Sequence, residues 1–157
     1  MKRVVVTGLG LVTALGNDVP TCWANLIAGK SGAGAITHFD SSKFKTHFAC
    51  EVKDLDVSNL FDPKELRRYD RYIHLAVKST EEAINNAGLH IQQEDPLRCG
   101  VIYGSGMGGV KTLDTNIGEF GAGDGTPRYS PFFIPMIITN MAAGMLAIRY
   151  GFKGVNY

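Results

Sequence analysis

The stretch Cys99-Gly100-Val101-Ile102-Tyr103-Gly104-Ser105-Gly106-Met107-Gly108-Gly109 decides the fold class. Its first five residues are short and apolar, with β-branched residues at the centre, and read as a buried strand. Glycines at 104, 106, 108 and 109 then turn the chain, and residues 110–120 read as a helix. A strand feeding a helix through a tight turn is the unit from which layered α/β proteins are built.

The alternation continues in both directions. Upstream, Tyr72, Leu75, Ala76, Thr80, Ala83, Ile84 and Ala87 form the inward face of a helix starting near Asp70, and Gly88 terminates it. Asp62-Pro63-Lys64-Glu65 is a helix start, with a capping acid, a proline in the first turn and a glutamate at the capping-box position. Earlier, Val19, Cys22, Trp23, Leu26 and Ile27 share one helical face, with Asn17 or Asp18 at its start and Gly29 at its end. Residues 2–7 read as a buried strand stopped by Gly8, residues 32–34 as loop, and residues 48–52 as a short strand. Downstream, residues 121–126 are loop. One last helix carries Ile134, Ile137, Ile138, Met141, Met145 and Ile148 on a stripe and ends at Gly151. A strand begins at Val155, and its shortness predicts that residues 1–157 are one part of a larger fold.

Composition bounds the function. Apolar residues make up 45% and charged residues 20% of the 157, enough to bury a core and too apolar for disorder. The net charge of +1, from 16 basic and 15 acidic residues, argues against nucleic acid as a partner and leaves room for a local basic patch. The N-terminus lacks the long apolar run of a signal peptide. The most apolar segment, residues 131–150, is interrupted by Pro135, Thr139, Asn140 and Arg149, so no membrane span is expected. A cytoplasmic protein is the resulting expectation. Cys22, Cys50 and Cys99 show no CxxC spacing, and His38, His47, His74 and His90 show no metal-ligand spacing. Cys22 and Cys99 read as small core residues, and nothing places a base beside any cysteine. No metal, no cofactor and no catalytic residue is assigned within the chain.

Two glycine motifs invite a phosphate-binding reading. Gly29-Lys30-Ser31 has Ala24 where a P-loop needs its first glycine, and Gly29 ends a helix instead of following a strand. Gly104-x-Gly106-x-x-Gly109 fits a dinucleotide fingerprint, but no acidic residue closes a second strand about twenty positions on. Tight turning of the backbone explains these glycines better. A nucleotide-binding module is kept as the weaker alternative.

Seven motifs in register resemble the opening of the β-ketoacyl synthases. They are Arg3-Val4-Val5-Val6-Thr7-Gly8-Leu9-Gly10, Leu15-Gly16-Asn17 with Trp23, Gly29-Lys30-Ser31-Gly32, Phe39-Asp40, Arg68-Tyr69-Asp70-Arg71-Tyr72, Gly104-Ser105-Gly106-Met107-Gly108-Gly109, and Ser130-Pro131-Phe132-Phe133-Ile134-Pro135 with Asn140-Met141 behind it. The turn containing Met107 is similar to the type II elongating synthases. The resemblance implies a thiolase-like layered α/β fold, of which residues 1–157 are most of the first half. It implies a homodimer and condensation of an acyl-enzyme with malonyl-carrier-protein. The nucleophilic cysteine and two histidines of the family fall after the stretch resembling Gly154-Val155-Asn156-Tyr157, so residues 1–157 alone are expected to be inactive. A non-catalytic dimer partner of the chain-length-factor kind is the other family reading.

The resemblance also implies site residues. Phe132, Phe133 and Ile134, stiffened between Pro131 and Pro135, would border the acyl pocket at the dimer interface, with Met107 lining it as a flexible gate. Lys64, Arg67 and Arg68 stand at i, i+3 and i+4 and would project three positive charges from one helix face. With Arg128, they would dock the acidic helix of acyl carrier protein.

Overall fold

In the computed structural model, which describes residues 3–157, Asp18 opens the first helix, α1 (Val19–Ile27). Its carboxylate accepts from Thr21 N at 2.7 Å, which satisfies one of the orphan donors of the first turn. That hydrogen bond holds Asp18 below the usual carboxylate range. Gly29, at φ 67, follows the helix end, the left-handed geometry that glycine adopts without strain. The Gly-Lys-Ser run therefore terminates a helix, as its spacing predicts.

The described residues fall into two units, one comprising the chain up to Asp56 with Lys78–Leu89, the other Val57–Val77 with His90–Tyr157. In the first, the second half of the long helix α3 (Arg71–Ala87) supports the N-terminal segment. A Cβ on Gly8 would collide with the Ala83 carbonyl, and one on Gly10 with the Ser79 carbonyl, so these glycines let the backbone lie directly on the helix. Leu9 N donates to Asn86 Oδ1 at 3.0 Å. The Glu82 carboxylate accepts from Leu11 N at 2.9 Å and from Val19 N at 2.6 Å, tying the segment and the start of α1 to one side chain. Cys22 is buried and donates to the Gly16 carbonyl at 3.1 Å, which agrees with its reading as a core residue. Two short strands, β1 (Gly34–Ala35) and β2 (Phe48–Ala49), pair antiparallel. Gly34 thus lies in a strand where loop is predicted, and β2 is shorter than residues 48–52.

The predicted buried strand at 2–7 needs a larger correction. Lys2 lies outside the described residues. Val4, Val5 and Val6 are 94, 62 and 80% exposed, and no stretch of the described residues pairs with them. A β-branched run becomes a strand only when a ladder partner takes its backbone groups. The expected inward face of α1 is likewise open at Trp23, Leu26 and Ile27.

The second unit holds most of the core. Phe61, Ile73, Ala76, Val77, Ala142, Ala143 and Leu146 are buried within it. Phe61 packs edge-on to His74 at 5.0 Å between ring centroids, with the Arg149 guanidinium 5.4 Å over its own ring. Residues 99–103 run parallel to residues 154–157, with Val101 N donating to Val155 O at 2.7 Å and Tyr103 N to Tyr157 O at 2.8 Å. The strand beginning near Val155 is therefore present, and Cys99–Tyr103 is paired on one side while Ile102 stays exposed. The α4 helix (Val110–Ala122) follows the glycine turn.

The single helix predicted over Ile134–Ile148 is two helices, α5 (Phe133–Ile137) and α6 (Met141–Tyr150). Its interruption has a specific cause. The Ile137 carbonyl accepts from Gly109 N at 3.2 Å, and the Ile138 carbonyl accepts from the Tyr72 hydroxyl at 2.6 Å and from Met141 N at 3.3 Å, so neither makes the i to i+4 bond of a continuous helix. Ile138 turns to ψ 137 and the chain restarts at Asn140. The buried face of α6 is Ala142, Ala143 and Leu146, whereas Ile148, on the predicted stripe, faces solvent.

Candidate functional site

The basic cluster is built on α2 (Pro63–Leu66), a helix of one turn. Asp62 Oδ1 accepts from Lys64 N at 2.7 Å and Glu65 N at 2.8 Å, and Glu65 Oε2 accepts in return from Asp62 N at 3.1 Å. This reciprocal box is the one legible in the sequence. Lys64 lies within α2, Arg67 caps it, and Arg68 lies beyond, its N–H bonded to the Glu65 carbonyl. All three cations are exposed.

The Arg68 guanidinium stacks 5.0 Å over the Phe132 ring, so the structure brings together one residue from each predicted group. Phe133 stacks on Tyr129 at 5.1 Å, and Tyr129 on Phe120 at 6.2 Å. Phe132 and Ile134 are partly exposed, and Met107 projects from its turn with 74% of its surface open. Side chains at Gly108 and Gly109 would strike the carbonyls of Ile137 and Met136, so these two glycines allow the turn to lie against α5. Gly108 is at φ 64, and its N–H donates to Ser105 Oγ at 3.1 Å. Close backbone approach accounts for them without a nucleotide. Arg128 sits apart from α2 in sequence and forms an ion pair with Asp124 at 2.9 Å.

Beside Arg67 lies an open pocket of about 470 Å³, bordered also by Asp70, His74, Lys111, Thr112 and Met136. Its floor was not foreseen from the sequence. Asp70 is buried, and its carboxylate accepts from Thr112 N at 2.9 Å, from Thr112 Oγ1 at 2.6 Å and from Tyr72 N at 3.4 Å. An acid at a helix start reads as a local cap, and its second partner is 42 residues away. Burial, followed by the Asp70 and Tyr103 oxygens, pushes the Tyr72 phenol up to about 12, so it stays a donor to the Ile138 carbonyl. Among the described residues, no cluster of three or more His, Cys, Asp or Glu is placed to hold a metal ion.

Comparison with known proteins gives this geometry its context. The family model described as β-ketoacyl synthase, N-terminal domain, matches residues 1–157. The chain belongs to the β-ketoacyl synthase family and carries its N-terminal domain. It is 44% identical over 155 residues to 3-oxoacyl-[acyl-carrier-protein] synthase 2 of Coxiella burnetii and 45% identical over 155 residues to that of Synechocystis sp.. Each match covers 99% of this chain and 37% of the relative, so the chain spans little more than a third of their length. Among solved structures, the ishigamide ketosynthase/chain length factor matches 97% of this chain and 38% of its own, with TM-score 0.85 and 26% identity. A β-ketoacyl synthase from Burkholderia phymatum matches 99% of this chain and 39% of its own, with TM-score 0.80 and 26% identity. The fold is therefore the thiolase-like α/β layer of the ketosynthase N-terminal portion. A type II polyketide ketosynthase solved with its acyl-carrier protein shares that fold at TM-score 0.72 and 22% identity, covering 98% of this chain and 41% of its own.

Proposed function

We propose that this chain is the N-terminal part of a 3-oxoacyl-[acyl-carrier-protein] synthase of fatty-acid elongation. The observation that carries the reading is its identity, over nearly its whole length, to the two synthases named above. In the proposed reaction a cysteine thiolate takes the acyl group from a carrier thioester, and the carrier thiol leaves. Malonyl-carrier-protein then loses carbon dioxide. The carbanion so formed attacks the acyl-enzyme carbonyl, expelling the cysteine thiolate and giving the 3-oxoacyl product. That cysteine and two assisting histidines are assigned to the synthase outside residues 1–157.

Within the chain, Phe132, Phe133, Ile134 and Met107 are proposed to border the acyl pocket at a homodimer interface. The exposure of Ile134 and Met107 supports this reading. Lys64, Arg67, Arg68 and Arg128 are proposed to dock acyl carrier protein. Long-range attraction would speed encounter more than it deepens affinity. Because exposed pairs contribute only about 0.2–1 kcal/mol each, one substitution changes little. Reversing Lys64, Arg67 and Arg68 together to Glu in a full-length synthase is expected to raise the KM for carrier-protein substrates and flatten its salt dependence. Turnover of a small thioester without the carrier is the control. Equal loss on both substrates would make the cluster structural and end the docking reading.

The likeness to a ketosynthase/chain length factor favours a second reading, a non-catalytic dimer partner. Acylation of a full-length protein by a radiolabelled acyl thioester separates the two, since the partner has no nucleophile to label. A cytoplasmic location is proposed with either reading. Its structural support is that no helix of the described residues is long and apolar enough to cross a membrane.

A further inference from the structure

The four proposed docking cations are not equivalent. Among the described residues, Lys64, Arg67 and Arg68 have no ion-pair partner, whereas Arg128 Nη2 donates to Asp124 Oδ2 at 2.9 Å. Asp124 is itself held in place. Its Oδ1 accepts from Thr126 N at 2.9 Å, which leaves Oδ2 for the guanidinium. Gly125, at φ 79, makes the turn that brings residues 124 and 128 within reach. The two side chains remain 71 and 59% exposed, so an incoming carboxylate can reach both.

We infer that Asp124 is an intramolecular rival of the carrier protein's carboxylates, occupying Arg128 in the undocked synthase and giving it up on docking. This rests on the docking reading proposed above. A carboxylate from the partner that takes Arg128 breaks one ion pair to make another, and the displaced Asp124 then repels the acidic surface beside it. The net gain at Arg128 is therefore smaller than at a cation with no partner. Asp124 limits how tightly, and with what salt sensitivity, the acidic carrier binds.

Asp124→Asn tests this because the amide oxygen still accepts from Thr126 N while the rival charge is gone. In a full-length synthase, titration with acyl carrier protein at low salt is expected to show Kd falling by about two- to fivefold, the range set by an exposed ion pair. The gain should shrink as salt screens it and should largely vanish in an Arg128→Ala background. The Lys64, Arg67 and Arg68 reversal to Glu is titrated in parallel. If that reversal weakens binding but Asp124→Asn leaves Kd unchanged or raises it, the rivalry is wrong and docking stands. An equal gain with and without Arg128 would also overturn it, because Asp124 would then act as a general surface charge. If the reversal itself leaves Kd unchanged, the docking reading fails first.

Discussion

Asp70, just before α3, and His74, within it, differ in how their buried polar atoms are partnered. The buried Asp70 carboxylate has three hydrogen-bond donors around it, two of them from Thr112 in the first turn of α4. His74 has no such support. Its Nε2 is buried without a hydrogen-bond partner, and burial holds its pKa below the ordinary 6.5, against the pull of Asp70 and with the push of Arg71. Between the lowered folded value and 6.5, the unfolded chain binds more protons than the folded one, so stability rises with pH through that window. The domain should therefore lose stability as pH drops below 6.5, and His74→Gln should flatten that limb of a denaturation-midpoint profile. An unchanged acid limb in the variant would assign the loss to other groups.

At the scale of elements, α6 shows how a helical stripe can be read one position out. Periodicity puts Met141, Met145 and Ile148 inward, yet Leu146 is 2% exposed and Ile148 73%. The helix restarts at Met141, whose N–H shares the Ile138 carbonyl with the Tyr72 hydroxyl, so α6 is a separate helix and not a continuation of α5. Leu146→Ala should destabilise the domain by about 2–5 kcal/mol through lost burial and a residual cavity. Ile148→Ala should change stability by less than about 0.5 kcal/mol. Urea denaturation of both variants decides the phase, and the reverse order would restore the stripe read from the sequence.

At the scale of the whole molecule, the aromatic segment offers the sharpest test of the acyl-pocket proposal. Phe133 stacks on Tyr129 and is only partly buried, so it could serve the core, an interface or a pocket wall. In a full-length synthase, Phe133→Ala is expected to shift acyl-length preference or dimerisation, read from product chain lengths and from sedimentation. A variant that loses only monomer stability would make Phe133 a core residue. Exposure at Val4, Val5 and Val6, which no stretch of the described residues pairs, belongs to this scale as well, since an unpaired apolar β-branched run offers an open edge to a further strand.

Local chemistry was legible in the sequence where neighbouring residues decide it. The Asp62–Glu65 box, a start of α1 at Asn17 or Asp18, the glycine stops at 29, 88 and 151 and the extent of α3 depend on interactions within a few residues. The glycine turn was legible as a turn, but its reason was not: the carbonyls it must clear lie about thirty residues on, in α5. The strand at 99–103 was legible because its parallel partner, residues 154–157, lies within the chain, whereas residues 3–7 have the composition of a strand without a partner among the described residues. Tertiary structure alone decided the break between α5 and α6, the Thr112 donors on Asp70 and the seating of Arg68 over Phe132. Each depends on residues far apart in the chain, 66 positions for Tyr72 and Ile138 and 42 for Asp70 and Thr112, and long-range partners leave no periodic trace in either segment.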